Sequence, residues 1–88
     1  MKLEETGLTV EDIKEKVNKY MIETYERMDF LAESAKDQYI YNEKGEKYLD
    51  FYAGIAVNSA GSCNEKVVKA VVDQAQTLMH TFNYPYTI

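Results

Sequence analysis

A stretch of aromatic and polar residues followed by small residues, Tyr39–Gly61, constrains the fold of this chain more than any other. Its first half carries aromatic and apolar side chains, which fit the pleated surface of a strand, on both sides of the polar segment Asn42–Glu46. Gly45 lies in that segment and can take the positive φ that a tight turn requires. A short polar turn that contains a glycine is typical of a hairpin with a bulge or a longer loop. The first half therefore predicts two antiparallel strands.

The second half of the stretch, Ala53–Gly61, has a different character. It consists mainly of small residues, among them Gly54, and Ile55 and Val57 are its only bulky side chains. Small residues at such a place let another backbone or a ligand approach closely. We therefore expect a loop that borders a binding site, and plain packing of Ile55 and Val57 is the alternative.

An amphipathic helix is predicted before this stretch. Thr9 and Asp12 have the spacing of a capping box, and apolar residues then recur at helical spacing as far as Met21. These features predict a helix from about residue 10 to 25. Its apolar stripe is narrow, so we expect it to lie on a neighbouring surface. The polar residues 1–8 are expected to form a flexible N-terminus.

The segment between this helix and the hairpin has a weaker pattern. Phe30–Ala32 could begin a short strand, and Ala35–Asp37 is expected to turn the chain before Tyr39. With the hairpin, this strand would complete a small antiparallel sheet of two or three strands. The order helix, sheet, helix predicts an α+β fold.

A second amphipathic helix is predicted after the site-like loop, with Asn64 as a favourable N-cap. Its wide apolar stripe predicts a face buried against other parts of the fold. The stripe consists of Val67, Val68, Val71, Val72, Ala75, Leu78 and Met79. Residues 82–88 then hold aromatic residues, a proline and no charge, a composition that exposes aromatic surface unless something covers it.

The segment before the second helix, Ser59–Asn64, could hold an anion, because free amides and the dipole at a helix N-terminus favour negative charge. The sequence contains neither Gly-x-Gly-x-x-Gly nor Gly-Lys-Ser/Thr, however. Ordinary capping by Ser62 or Asn64 is therefore the stronger interpretation.

Composition restricts the classes of function. The 88 residues make at most one small domain, and their net charge of −5 argues against nucleic acid or an anionic membrane as a partner. The lone Cys63 cannot form an internal disulfide, and the N-terminus has no apolar run typical of a secretory signal. No segment reaches the roughly 20 apolar residues of a membrane span. These features predict a cytoplasmic chain.

Catalytic arrangements are largely excluded by spacing. A metal site needs clustered ligands, whereas Cys63 and His80 lie at opposite ends of the second helix, about 25 Å apart. No second cysteine or basic partner accompanies Cys63, so we expect it to be a small buried residue. A Schiff-base lysine must be desolvated, and every lysine here lies in a charged or turn context. We therefore expect no catalytic residue and no metal ligand.

The residues of the hairpin and loop also carry a resemblance to a known family. Tyr39–Asn58 resembles a segment of the class III pyridoxal-phosphate aminotransferases, whose pattern is Tyr-Leu-Tyr-Asp-x-x-Gly-x-x-Tyr-Leu-Asp-Phe followed by Gly-Ile-Ala-Val. The similarity continues through Lys66–Ala70 and Leu78–Asn83, and it covers about residues 20–88. The acetylornithine, ornithine and 4-aminobutyrate aminotransferases resemble the chain best.

This resemblance implies a fold and a function. Residues 9–88 would be the N-terminal part of the small domain of a fold-type I enzyme that transfers an amino group to 2-oxoglutarate. The donor would be an ω-amine such as N-acetylornithine, ornithine or 4-aminobutyrate. The family's cofactor lysine and main phosphate-binding loop occur later in the sequence. Pyridoxal 5'-phosphate would thus belong to the parent enzyme, while this chain alone would bind none and be inactive.

The resemblance also implies five substrate-binding positions. Tyr25 matches a substrate-facing tyrosine of the ornithine branch. Gly54, Ile55 and Val57 match a loop that borders the substrate, and Asn83 lies near the cofactor in the dimer. No residue of the chain is expected to bind the cofactor or to act as a catalytic residue.

The chain departs from the family in two places. Gly61–Glu65 reads Gly-Ser-Cys-Asn-Glu where the family has Gly-His-x-His-Pro. A glycine that is common in the family before the first strand is either Asp37 here or falls elsewhere. The expected partners are the remainder of the enzyme, a second subunit, an amino-acid substrate and a 2-oxo acid. The alternative is a non-catalytic fragment that associates through its aromatic tail.

Overall fold

The computed structural model describes residues 1–88 and has an α+β architecture. The strands form one antiparallel sheet in the order β1-β2-β3, which confirms the predicted fold class. None of the helices combines the length and the apolar composition that crossing a bilayer requires. The elements in chain order are a 3-10 helix (Leu3–Glu5), α1 (Val10–Tyr20), β1 (Ala32–Lys36), β2 (Tyr39–Asn42), β3 (Lys47–Leu49), α2 (Ala53–Ala56) and α3 (Glu65–Thr77).

The N-terminal residues contact the sheet. The N–H of Leu3 donates to Oε1 of Glu33, in β1, at 2.7 Å. This bond gives residues 1–8 a defined path in the structure. The predicted flexibility of residues 1–8 is a statement about motion, which the structure does not test, and it stays a prediction.

The predicted start of α1 is confirmed by a reciprocal cap. The Oγ1 of Thr9 accepts the N–H of Asp12 at 3.1 Å, and Oδ2 of Asp12 accepts the N–H of Thr9 at 2.8 Å. Two of the helix's free donors are thereby satisfied, which fixes where the helix begins.

The predicted end of α1 near residue 25 is wrong. The helix ends at Tyr20, and Met21 is already extended, with φ −105° and ψ 143°. The β-branched Ile22 and Thr24 follow, and such side chains lose χ1 freedom in a helix. The N–H of Thr24 donates to the carbonyl of Ile22 at 3.1 Å, a contact that a continued helix would not make.

The hairpin between β2 and β3 is confirmed. The connection runs from Asn42 to Glu46, and Gly45 takes φ +77° as predicted. Asn42 is the only buried residue of the chain, and its Oδ1 accepts the N–H groups of Lys44 at 3.1 Å and Glu46 at 2.8 Å. One amide side chain therefore organises the whole turn.

The predicted turn at Ala35–Asp37 is displaced. Ala35 and Lys36 belong to β1, Lys36 pairs with Tyr39, and only Asp37 and Gln38 connect the two strands. A two-residue hairpin connection favours positive φ, which aspartate tolerates better than most residues. Asp37 has φ +51° accordingly. The strand that Phe30–Ala32 could begin is present, and it starts at the last residue of that range, Ala32.

The turn between β1 and β2 is tied to the end of the site-like loop. The N–H of Asp37 donates to the carbonyl of Ser62 at 2.9 Å, and the N–H of Ser62 donates back at 2.8 Å. Cys63 follows with φ +53° and is exposed, so its predicted burial is wrong. No apolar side chain of residues 1–88 is buried, so these residues offer no core for Cys63 to enter.

The predicted N-cap of α3 is confirmed, because Oδ1 of Asn64 accepts the N–H groups of Lys66 at 3.1 Å and Val67 at 3.3 Å. The helix ends at Thr77, so the last two members of the predicted stripe, Leu78 and Met79, lie beyond it. Leu78 is extended, with φ −160° and ψ 108°.

No apolar side chain of the chain is buried. The predicted buried face of α3 is therefore wrong within these residues: Val67 is 54% exposed and Val71 is 62% exposed. The radius of gyration is 17.0 Å, whereas a compact domain of this length has about 12 Å. The elements form from local signals, but none of their apolar faces is fully covered within residues 1–88.

Candidate functional site

The predicted site loop begins with a single left-handed turn, α2. Four consecutive residues have positive φ: Ala53 at +47°, Gly54 at +63°, Ile55 at +57° and Ala56 at +63°. Left-handed backbone costs about 1–2 kcal/mol for each residue that has a β-carbon. Such strain persists only where neighbouring contacts hold it, and it concentrates at functional sites.

The backbone of this turn is held by hydrogen bonds on both sides. At its start, Oδ1 of Asp50 accepts the N–H groups of Tyr52 at 3.0 Å and Ala53 at 2.9 Å. At its end, the N–H of Asn58 donates to the carbonyl of Ala53 at 2.8 Å. The hydroxyl of Ser59 donates to the carbonyl of Ala56 at 3.1 Å. The strained turn is thus fixed by polar groups of its own loop.

The turn presents two β-branched side chains to solvent. Ile55 is 86% exposed and Val57 is 77% exposed, so they do not pack within this chain. A β-carbon on Gly54 would lie 3.3 Å from the β-carbon of Val57, which leaves little room for one. The structure therefore brings Gly54, Ile55 and Val57 together as one small apolar surface.

Tyr25 and Asn83, the other predicted site residues, lie elsewhere. Tyr25 is 79% exposed, in the segment between α1 and β1. Asn83 lies between Phe82 and Tyr84, whose rings meet edge to face with centroids 5.7 Å apart. No hydrogen bond joins either residue to the left-handed turn. Their roles stay predictions.

A cleft that the sequence did not predict lies between α1 and the segment 21–31. It has a volume of about 420 Å³, and its walls include Val17, Met28 and Phe30. An ion pair between Lys14 and Asp29 lies on its wall. The hydrogen bond from Lys14 lowers the pKa of Asp29, and the same bond raises the pKa of Lys14.

The environment of the lysines decides whether one of them could anchor a cofactor as a Schiff base. Such a lysine needs a desolvated amine with a lowered pKa. No lysine of this chain is buried, and only Lys14 is half-buried. Its hydrogen bond to Asp29 raises the pKa of Lys14 instead of lowering it. None of the lysines has this environment within residues 1–88, so the structure supplies no candidate anchor for pyridoxal phosphate and we assign no step of the reaction to this chain.

Comparison with known proteins identifies the family. The family model of class III aminotransferases matches residues 20–87. The chain is 47% identical over 70 residues to the acetylornithine aminotransferase of Methanocaldococcus jannaschii, covering 80% of this chain and 18% of that protein. It is 43% identical over 67 residues to the mitochondrial acetylornithine aminotransferase of Neurospora crassa, covering 76% and 14%. The chain belongs to the class III aminotransferase family.

Solved structures agree on the fold. An ornithine aminotransferase from Toxoplasma gondii, 26% identical, superposes with a TM-score of 0.83 over 91% of this chain and 19% of that one. The acetylornithine aminotransferase of Elizabethkingia anophelis, 24% identical, superposes with a TM-score of 0.82 over 89% and 20%, a likeness that shows the fold alone. The chain thus has the fold of a portion of the fold-type I aminotransferases, about a fifth of their length.

Proposed function

We propose that this chain is the N-terminal segment of a pyridoxal-phosphate-dependent aminotransferase. Its parent moves an amino group from an ω-amine donor, such as N-acetylornithine, ornithine or 4-aminobutyrate, to 2-oxoglutarate. The support is membership of the class III family and similarity to proteins named acetylornithine and ornithine aminotransferases. Residues 9–88 form part of the small domain of that enzyme.

The observation that carries the proposal is the left-handed turn. In this turn Ile55 and Val57 are 86% and 77% exposed, on a strained backbone that is held by hydrogen bonds at its start and end. Exposed β-branched side chains on a fixed loop suit the apolar wall of a substrate channel. Gly54, Ile55 and Val57 therefore border the amino donor. Tyr25 and Asn83, from other segments of this chain, complete the site.

The chemistry itself is assigned to other parts of the enzyme. The cofactor supplies the electron sink in this family, and the protein supplies orientation and electrostatics. None of the lysines is buried among residues 1–88, which supports placing the lysine that anchors the cofactor outside this chain. The segment alone binds no cofactor and is inactive. The parent enzyme is cytoplasmic.

The exposed apolar surface of the chain fits an assembled enzyme. No apolar side chain is buried, and Phe82, Tyr84 and Tyr86 are 65%, 90% and 104% exposed. Contiguous apolar surface of this kind usually marks an interface. We assign α1 and residues 82–88 to contacts with the remainder of the enzyme and with a second subunit.

The same exposure favours a second candidate, a non-catalytic fragment that only associates. The two candidates differ in whether the segment can serve an active enzyme.

Titrating the 88-residue chain with pyridoxal phosphate and recording its visible spectrum tests a separate claim, that the chain alone is inactive. An internal aldimine absorbance would contradict it.

A chimeric enzyme tests the proposed function. Residues 20–87 replace the matching segment of the Methanocaldococcus jannaschii acetylornithine aminotransferase, and transamination of three ω-amine donors is followed with 2-oxoglutarate. This protein is hereafter called the chimera. The account expects turnover with at least one donor. A well-folded chimera that binds pyridoxal phosphate and transaminates none of them contradicts the proposed function.

A further inference from the structure

Asp50 connects the sheet to the left-handed turn. Its N–H donates to the carbonyl of Gln38, between β1 and β2, at 2.9 Å, so its backbone belongs to the edge of the sheet. One oxygen of its carboxylate accepts the N–H groups of Tyr52 and Ala53, at 3.0 Å and 2.9 Å. A single half-buried side chain thus bridges the most regular and the most strained parts of the chain.

The two acceptor contacts fall where the backbone changes hand. Tyr52 is right-handed, with φ −82° and ψ −33°, and Ala53 begins the left-handed run at φ +47°. Free amides at such a change would otherwise bond to water or relax with the backbone. Because one oxygen accepts both amides, it fixes the direction in which the chain leaves Ala53.

That direction sets where the exposed side chains lie. Ile55 follows Ala53 by two residues and Val57 by four, with no packed neighbour to hold either of them. If the turn relaxed toward right-handed backbone, both β-carbons would point elsewhere. Their position therefore depends on the backbone hydrogen bonds, among which the pair from Asp50 comes first in the chain.

We propose that Asp50 is a positioning residue that sets substrate specificity. It holds α2 left-handed and so places Ile55 and Val57 against the amino donor. This inference rests on the proposed function, because it assumes that the turn borders the substrate. Asp50 acts through the turn and touches neither substrate nor cofactor. Its action needs an acceptor oxygen at this position and does not need a negative charge.

The experiment uses the chimera with bound cofactor and two donors of different size, N-acetylornithine and ornithine. The readout is the ratio of kcat/KM for the two donors, which does not depend on the fraction of folded enzyme. Asp50→Ala should change this ratio roughly tenfold or more, because small displacements of positioning groups have large effects on rate. Asp50→Asn keeps an acceptor at the same place and should leave the ratio within about twofold.

Two further variants allow the proposal to be tested even if Asp50→Ala folds poorly. Asp50→Gln keeps a polar side chain but moves its oxygen by one methylene, and it should change the ratio as Asp50→Ala does. Asp73→Ala removes an exposed carboxylate that pairs with Lys69 on α3, and it should leave the ratio unchanged.

The outcomes separate the two claims. Equal loss for both donors in Asp50→Ala, or failure of Asp50→Asn to restore the ratio, overturns the positioning role. Ile55→Ala provides the test of the underlying assumption. If it leaves the ratio unchanged, the turn does not border the donor, and the proposed site and this inference are both overturned. If Ile55→Ala changes the ratio and Asp50→Ala does not, only the role of Asp50 is overturned.

Discussion

A β-carbon on Gly61 would lie 3.1 Å from the Cα of Asp37. Gly61 lies in the loop before α3, and Asp37 lies in the turn between β1 and β2. The backbone bridge between Asp37 and Ser62 holds the two segments in contact. This distance is tighter than most real β-carbon contacts, so the backbone of Asp37 would have to shift by a few tenths of an ångström. This contact closes the segment that contains the left-handed turn, so the absence of a side chain at residue 61 is a condition of the fold.

Gly61→Ala should therefore destabilise the chimera. The added methyl group meets backbone atoms of Asp37, and alanine at φ +83° is strained as well. We expect a loss of about 2–4 kcal/mol in the free energy of unfolding, measured by thermal denaturation. Gly45→Ala is the control: its φ is +77°, but a β-carbon there meets nothing within 4 Å. Equal losses in the two variants would show that the contact with Asp37 contributes nothing.

Asn42→Ala should open the hairpin turn. The substitution leaves the N–H groups of Lys44 and Glu46 without their acceptor in the least exposed part of the chain. The expected cost is about 1–3 kcal/mol in the stability of the chimera. Gln76→Ala, an exposed change on α3, should stay within about 0.5 kcal/mol of the unsubstituted chimera. Comparable stability in both variants would argue against the organising role of Asn42.

The cap of α1 predicts a pH dependence. The backbone and side-chain hydrogen bonds from Thr9 lower the pKa of Asp12 below its ordinary value of 3.8. A lowered folded-state pKa means that the cap stabilises α1 above about pH 4 and loses this effect as the pH falls through the lowered value. Titration of the Asp12 carboxyl by NMR should show a pKa below 3.8, and Thr9→Ala should raise it. No change on removal of Thr9 would contradict the cap.

Val71→Asp should leave α3 intact and reduce association. Val71 is 62% exposed, so the new carboxylate stays in water, and valine and aspartate differ little in helix propensity. Far-ultraviolet circular dichroism of the 88-residue chain should be nearly unchanged. Sedimentation at tens of micromolar should show less self-association than Gln76→Asp, which adds the same charge away from the apolar stripe. A collapse of helicity in Val71→Asp alone would mean that the face is covered within the chain.

Local signals made part of the fold predictable. The capping pair at Thr9 and Asp12, the Asn64 cap and the Gly45 turn each act over a few residues, and each was placed correctly. The end of α1 was missed because the apolar spacing continues to Met21 while the hydrogen bonds stop. Spacing alone does not report the entropy cost of the β-branched residues that follow.

The left-handed turn was not predictable in the same way. Ala53, Ile55 and Ala56 have no intrinsic preference for positive φ, and their conformation depends on Asp50 and on bonds across the loop. The small size of its residues indicated the site-like loop in the sequence, but nothing in the sequence indicated that its backbone is left-handed. An aspartate followed after two positions by small residues is the signal that could have suggested it. The positive φ of Asp37 is similar, because it depends on the two-residue connection between β1 and β2.

The most direct test of the account compares Gly54→Ala with Gly45→Ala in the chimera. Both glycines have positive φ, +63° and +77°, so the backbone strain of the two alanines is similar. Only the β-carbon at residue 54 approaches Val57, at 3.3 Å, on the surface assigned to the donor. We predict a slightly lower melting temperature in Gly54→Ala, because its β-carbon is crowded by Val57, and kcat/KM lowered roughly tenfold or more. In Gly45→Ala, kcat/KM should be unchanged within about twofold. Equal kcat/KM in the two variants would contradict the claim that the left-handed turn borders the substrate.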